Sequence, residues 1–228
     1  MLNQFSRTEL ILGAAAMEKL ANSKVAVIGL GASGAACAEA LARSAVGCIA
    51  LLSGETVTDD MLGGSIIANR ETLGLNTVDV AEKRLLSINS EIKILKNPLP
   101  EATETPDFSG CDYVVNTSFD LDLTAVLAAR AQACDTPIIS VLDFGGIAFA
   151  NAEFKIADVN KIPQAKSLGF ELRRAGVKKH RVVYPVNVTG GASQSHEFAG
   201  INACALGLIA AGEVIKGITG VTNNGKGA

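Results

Sequence analysis

The chain has 228 residues, of which 48% are hydrophobic and 19% charged, so it can bury one large core and is long for a single domain without reaching two. Its formal net charge of −3 comes from mixed signs, which excludes a global field that would attract nucleic acid or an anionic membrane. The five cysteines are odd in number and form no CxxC pair, which excludes a four-thiolate zinc site and indicates free thiols in a reducing cytoplasm.

The first predicted strand covers residues 24–29 and leads into Gly29, Gly31 and Gly34, which have GxGxxG spacing. An alanine-rich helical pattern follows, to about Ser44. This order is typical of a strand, a tight turn and a helix whose first amides bind a phosphate. We expect one glycine to make the turn, one to let a ligand approach the backbone, and one to pack the helix against the strand.

The following segments alternate between strand and helix patterns. Apolar runs predict strands over residues 48–52, 91–95, 113–115 and 137–142, and helical periodicity covers residues 78–89 and 122–134. This alternation predicts the α/β class, with a Rossmann-like, doubly wound, mostly parallel sheet over about residues 22–143.

The pattern changes from about residue 144. Residues 153–157 alternate polar and apolar side chains, as a half-exposed antiparallel strand would, and predicted helix 166–175, strand 181–184 and helix 198–215 follow. We therefore expect an antiparallel C-terminal extension over about residues 144–221, within one domain of residues 1–221. Residues 222–228 are polar and glycine-rich, which predicts a flexible tail.

Two features favour a cytoplasmic protein without a membrane segment. The first residues show no charged-then-apolar signal pattern. The longest apolar stretch, residues 198–212, contains Asn202 and is too short to cross a bilayer.

The end of the second strand lacks the acidic residue that usually holds a ribose hydroxyl in this kind of fold. Ser53 and Gly54 stand there, and Glu55 follows. An NAD-dependent enzyme needs that acid, and an NADP-dependent one needs a nearby arginine. The sequence therefore argues against a dinucleotide-dependent oxidoreductase, which remains an alternative.

Several segments resemble the ThiF/MoeB/HesA superfamily of adenylyltransferases, which are similar to ubiquitin-activating enzymes. They are residues 5–13 (FSRTELILG), 38–43 (AEALAR), 84–91 (RLLSINSE) and 211–216 (AGEVIK). Residues 157–162 (ADVNKI) and 172–179 (LRRAGVKK) are most similar to bacterial tRNA threonylcarbamoyladenosine dehydratases. The resemblance implies ATP as cofactor, activation of a carboxylate as an acyl-adenylate, and, in the dehydratases, ring closure of the modified base.

The resemblance also shows which ATP-binding positions this chain has changed. Ser53 aligns with the aspartate that holds the ribose. Gly64 aligns with the arginine of an Asn-Arg-Gln stretch on the phosphates, and Thr77 aligns with a phosphate lysine. Asn116 aligns with the first aspartate of an Asp-Ala-x-Asp stretch, and Phe119 aligns with the second, which holds magnesium.

Few polar groups of the family site remain. Arg7 aligns with an arginine that family dimers donate across their interface. The carried-over nucleotide positions are Gly29, Gly31, Gly34, Ser53, Glu55, Asn116 and Arg7, with no catalytic side chain and no metal ligand. Because adenylation depends on positioning and on stabilisation of phosphate charge by cations and metal, we expect ATP binding to be weak or lost.

Three functions are compatible with these residues. The first is a catalytically inactive relative that acts as a scaffold or regulator. The second is an active dehydratase, or an activating enzyme for a ubiquitin-like or sulfur-carrier protein, with a relocated site that uses Glu55 and Arg70. The third is the oxidoreductase.

The resemblance implies a homodimer, or a heterodimer with an active homologue, and the small-residue stretch 199–211 fits either a core helix or a dimer interface. A small carrier protein is a further expected partner. A tRNA is another, because the basic run from Arg173 to Arg181 could follow an RNA backbone, although such a run is also typical of a solvated helix end.

Overall fold

The computed structural model describes residues 4–98, 106–143, 153–186 and 200–221. The helices are α1 (Ser6–Leu12), α2 (Ala14–Ala21), α3 (Ala32–Arg43), α4 (Thr77–Ile88), α5 (Leu121–Ala133), α6 (Lys166–Arg174) and α7 (Gly200–Thr219). The strands are β1 (Lys24–Ile28), β2 (Cys48–Leu52), β3 (Lys93–Asn97), β4 (Tyr113–Asn116), β5 (Ile138–Val141), β6 (Phe154–Asp158) and β7 (Arg181–Pro185).

These strands form one seven-stranded sheet in the order β3-β2-β1-β4-β5-β7-β6. Neighbours from β3 to β7 are parallel, and β6 runs antiparallel beside β7. The winding reverses between β1 and β4, which makes that point the topological switch point. The sheet confirms the predicted fold class, including the antiparallel extension, which adds β7 and β6 to the same sheet.

The apolar run of β1 is buried on both faces of the sheet. Val25 and Val27 pack into the core shared with α3, α4 and α7, whereas Ala26 and Ile28 pack into the core shared with α5. Strands covered on both faces have continuous rather than alternating apolar runs, which is why this segment could be recognised from sequence. Each fully buried Val or Ile side chain contributes about 1.5–3 kcal/mol.

Helix α7 packs on α3 through small residues. A Cβ added to Gly207 would lie 2.0 Å from the backbone oxygen of Ser33, and Ala203 and Ala210 are buried. The small-residue stretch is therefore part of the monomer's own core, which removes it as support for a dimer interface. Dimerisation itself stays a prediction.

The expectation that the apolar C-terminal stretch is too short to cross a bilayer needs correction. Among the described helices, α7 contains an 18-residue window, Asn202–Thr219, with a mean hydropathy of 1.2. By length and composition alone, this window could cross a membrane. Half of that window is buried inside the fold, and a buried core helix meets the same criteria. Residues 144–152 of the extension and the tail at 222–228 lie outside the described residues.

Candidate functional site

The glycine turn has the geometry expected from its spacing. Gly29 follows β1 with φ of +82°, a conformation that favours glycine. A Cβ on Gly34 would lie 2.0 Å from the Gly29 oxygen, so this glycine allows α3 to pack against the turn. A Cβ on Gly31 would meet nothing within 4 Å. The turn role therefore falls to Gly29 and the packing role to Gly34, whereas ligand approach at Gly31 stays a prediction.

Ser53 and Thr77 lie together at the end of β2, although 24 residues separate them. Their hydroxyl oxygens are 2.9 Å apart, and Thr77 also donates to the backbone oxygen of Glu55 at 3.1 Å. Ser53 is 5% exposed and Thr77 is fully buried. The positions that the resemblance assigns to a ribose acid and a phosphate lysine thus hold a buried, neutral hydroxyl pair.

Asn116, at the end of β4, is fully hydrogen-bonded inside the protein. Its Nδ2 donates to Thr124 Oγ1 at 2.8 Å and to Ser140 Oγ at 3.2 Å, and its Oδ1 accepts from the backbone N–H and the hydroxyl of Ser118. Ser140 Oγ also lies 2.8 Å from His180 Nε2. Burial lowers the pKa of His180 to about 4. The amide therefore connects β4 to α5 and β5 and has no remaining capacity for a ligand.

The loop after β4 carries an aromatic ring where the resemblance places a metal carboxylate. The Phe119 side chain is 42% exposed, so the ring borders solvent rather than filling the interior. The neighbouring carboxylate, Asp120, accepts from the backbone N–H of Leu123 at 2.9 Å and caps α5. The acid that directly follows the expected metal position in the sequence therefore has a structural role.

A lysine that lines a cavity beside the hydroxyl pair is already bound to two carboxylates. Lys96 lines a cavity of about 290 Å³ together with Ser53 and Glu55. Its ammonium lies 2.8 Å from Asp79 and 2.7 Å from Glu82. These carboxylates raise the pKa of Lys96. With Glu55 exposed beside them, the charge around this cavity is net negative, which opposes a phosphate.

Arg7 and Arg70 do not join this site in the described part of the chain. Both are exposed, Arg7 on α1 and Arg70 in the loop before α4. Neither forms a hydrogen bond or ion pair with another described residue. The roles proposed for them, donation across a dimer interface and a relocated phosphate contact, stay predictions.

Cys204 links α7 to two other segments, a contact that the sequence did not indicate. Its thiol on α7 donates to the backbone oxygen of Gly64 at 3.2 Å and lies 3.7 Å from that of Ala32. Burial raises the pKa of the Cys204 thiol. The Cys204 thiol is thus protonated and packs between the loop at Gly64 and the start of α3, so it is not an activated nucleophile.

The basic run after α6 does not form one cationic face. His180 is 2% exposed, Arg173 donates to Asn160 at 2.7 Å, Arg174 pairs with Glu171 at 3.0 Å, and Arg181 pairs with Glu213. The exposed residues left without such a bond in this run are Lys178 and Lys179. This arrangement favours the solvated-surface interpretation over an RNA-binding track. Among the described residues, no group of three or more His, Cys, Asp or Glu side chains is placed to hold a metal.

Comparison with known proteins places this site in context. The model of the ThiF family matches residues 4–227. The tRNA threonylcarbamoyladenosine dehydratase of Bacillus subtilis is 37% identical over 185 residues, which cover 78% of this chain and 72% of that protein. The protein of the same name from Escherichia coli is 28% identical over 149 residues, and the match spans 54% of its length.

Solved structures agree on the fold. The crystal structure of the E. coli dehydratase superposes with a TM-score of 0.85 at 22% identity, covering 94% of this chain and 93% of that one. The same enzyme in complex with ATP gives a TM-score of 0.82 at 23% identity. The chain therefore has a dehydratase-like fold, and the E. coli enzyme of that fold has been solved in complex with ATP.

Proposed function

Since the chain belongs to the ThiF family, we propose that it keeps the dehydratase-like fold without the adenylation chemistry and acts as a non-catalytic scaffold or regulator. The observation that carries this proposal is the Ser53–Thr77 pair. Two hydroxyls bonded to each other and shielded from solvent supply neither the acid nor the cation that an adenylation site needs at those positions.

The electrostatics of the rest of the site support the same conclusion. Acyl-adenylate formation spreads charge onto phosphate oxygens, and it is catalysed by fixed cations and metal. Asn116 is fully engaged, Phe119 offers an apolar ring, and Lys96 is held by Asp79 and Glu82. Loss of one such stabilising group typically costs on the order of 10²–10³ in rate, and losses combine non-additively. The residues present do not fit magnesium-dependent adenylation.

The intact glycine turn supports retention of the fold, not of the reaction. In this proposal the protein is cytoplasmic and forms a homodimer, or a heterodimer with an active homologue. Its further binding partner is a tRNA or a small carrier protein. Light scattering at micromolar concentration tests the homodimer, and a monomer mass would contradict it.

The proposal is tested by ATP–pyrophosphate exchange. Purified protein is incubated with ATP, magnesium, labelled pyrophosphate and a panel of carboxylates that includes threonylcarbamoyladenosine-modified tRNA. The B. subtilis dehydratase serves as the positive control under identical conditions. We expect exchange at the level of a protein-free blank. Exchange above that level would contradict the proposal and favour an active enzyme with a relocated ATP site.

A further inference from the structure

The end of the sheet opposite the glycine turn carries a cavity of about 660 Å³. Gly47 and Glu91 line it, and they lie just before β2 and β3, so the cavity is at the amino ends of these parallel strands. Three helices end there, because Ala21 closes α2, Ala45 lies two residues past α3, and Asn89 follows α4. The C-terminal end of a helix carries a partial negative charge. Three such ends around one cavity favour a cation.

The charged side chains of the lining are all acidic. They are Glu9 on α1, Glu18 on α2 and Glu91 before β3, and all three are exposed. None forms an ion pair with a residue that the structure describes. Glu91 accepts a hydrogen bond from the Ser90 hydroxyl at 3.2 Å, which leaves its charge unpaired. Since no cation is among the lining residues, all of which are described, positive charge would have to come from a ligand.

The cavity also has an apolar wall. Met17 is half-buried, and it lines the cavity together with Ala21 and Ala45. Lysine and arginine side chains lay their aliphatic stems along such surface while the charged group stays beside carboxylates. The volume falls within the range of about 300–1,000 Å³ that is common for ligand sites.

A buried amide donor in the same wall indicates a second kind of group on the ligand. Asn89 is 5% exposed, and its Oδ1 accepts the backbone N–H of Glu91 at 3.2 Å, which fixes the orientation of the amide. Its Nδ2 has no partner among the described residues, and it is not sealed in the core as His180 Nδ1 is. Because Asn89 lines the cavity, this Nδ2 is available to donate to a ligand oxygen.

We propose that this cavity binds a basic peptide segment, with its cationic side chains against Glu9, Glu18 and Glu91 and a backbone carbonyl oxygen against Asn89 Nδ2. A basic peptide supplies both kinds of group at once, whereas a simple diamine supplies only cations. The cavity and the glycine turn lie at opposite ends of the sheet, so this inference does not depend on whether the turn binds ATP.

The first test titrates four probes into the intact protein by calorimetry. Three are capped peptides of equal length, acetyl-Lys-Gly-Lys-amide and its glutamine and glutamate counterparts, and the fourth is 1,8-diaminooctane. We expect the lysine peptide to bind about tenfold or more tightly than the glutamine peptide, because it adds ion pairs. It should bind about threefold or more tightly than the diamine, because only the peptide offers an oxygen to Asn89.

Four results would each overturn the proposal. They are tightest binding of the glutamate peptide, equal binding of the lysine and glutamine peptides, a diamine that binds as tightly as the lysine peptide, and no binding of the lysine peptide at about ten millimolar.

Variants locate the site. Glu9→Gln and Glu18→Gln together keep the side-chain shapes and remove two charges, so they should weaken binding of the lysine peptide about tenfold or more and leave the glutamine peptide unchanged. Glu71→Gln is the matched control, because Glu71 is also exposed and does not line this cavity. Equal affinity of the lysine peptide for wild type and for the folded double variant would place the peptide elsewhere and refute the site.

A change at the amide tests the carbonyl contact. Asn89→Asp keeps an oxygen for the Glu91 N–H and replaces the Nδ2 donor with a second carboxylate oxygen. The advantage of the lysine peptide over the diamine should therefore disappear, once a thermal melt has shown that the variant is folded. An unchanged advantage would refute the peptide as ligand. Should this variant not fold, the comparison of the diamine with the lysine peptide on wild type decides the same point.

Discussion

The stability of the fold should fall in mild acid because of His180. This imidazole is 2% exposed and bonds Ser140 through Nε2, while its Nδ1 has no hydrogen-bond partner among the residues that the structure describes. Burial lowers the pKa of His180 from 6.5 to about 4, and this effect outweighs the charge of Asp158, which raises the pKa. The unfolded chain therefore binds a proton more readily than the native one between these two pH values.

The sign and size of the effect follow from this difference. The stabilisation is fully present above pH 6.5 and is lost progressively as the pH falls towards 4, since protons then favour the unfolded state. With each pKa unit worth about 1.4 kcal/mol, the loss is about 1.3 kcal/mol between pH 7.5 and 5.5, and about 2.5 kcal/mol by pH 4.5.

The assay is urea denaturation followed by circular dichroism at pH 7.5, 5.5 and 4.5, for wild type and for His180→Asn. The asparagine keeps a hydrogen-bonding group near Ser140 but does not titrate. All other titratable groups are the same in both proteins, so the difference between their unfolding free energies isolates His180. We expect wild type to lose its advantage over the variant by the amounts given above. A difference that stays constant within about 0.5 kcal/mol across this range would refute the argument.

Three further changes test other parts of the structure. Gly34→Ala should lower the free energy of unfolding by at least about 2 kcal/mol, because the new Cβ would lie 2.0 Å from the Gly29 oxygen. Gly31→Ala should change it by no more than about 0.5 kcal/mol, since a Cβ there meets nothing within 4 Å. Equal losses of stability in urea denaturation would contradict the packing role of Gly34. Burial raises the pKa of Cys37 to about 12, so its thiol should react with iodoacetamide at pH 7.5 only in denaturant, as read by mass spectrometry. Labelling of Cys37 in native buffer as fast as that of the half-buried Cys48 would refute this. Thr77→Lys places a cation at a fully buried position and should lower the free energy of unfolding by about 3 kcal/mol or more. Adding Ser53→Asp should restore part of this loss, because the two side chains are in contact. Effects of the two changes that simply add would contradict that contact.

The fold was largely predictable because its signals are local. The continuous apolar run of β1 and the glycines that follow it specify a strand, a turn and a helix within a few residues of one another, and the positions of Gly29, Gly31 and Gly34 confirm it. Strand β3 is shifted to Lys93–Asn97 from the predicted 91–95. Asn89 there accepts the backbone N–H of Ile92 in a turn, and the parallel pairing with β2 starts at Lys93.

The candidate site was less predictable because its contacts are long-range. No local pattern indicates that Ser53 bonds Thr77, since the contact depends on how the end of β2 meets the start of α4. His180 belongs to a strongly basic run, and only the register of β7 turns it towards Ser140 in the interior. Likewise, the small residues of α7 allow close packing in either a core or an interface, and the contact with Ser33 decides for the core.

The central claim is that this fold has lost the charged groups of an ATP site, and restoring them tests it. Structure guides the design: Ser53→Asp and Thr77→Lys are introduced together because they form one buried pair, with Gly64→Arg and Phe119→Asp added. Asn116 is left unchanged because its amide bonds three neighbours. Removing the Phe119 ring should cost less than the 3–5 kcal/mol typical of a buried aromatic side chain, since it is 42% exposed.

The measurement is calorimetric titration of ATP and magnesium into wild type and into this fourfold variant, after a thermal melt has shown that the variant is folded. The account predicts a wild-type Kd of roughly millimolar or weaker and at least tenfold tighter binding by the folded variant. Micromolar binding by wild type, or a folded variant that gains nothing, would contradict it.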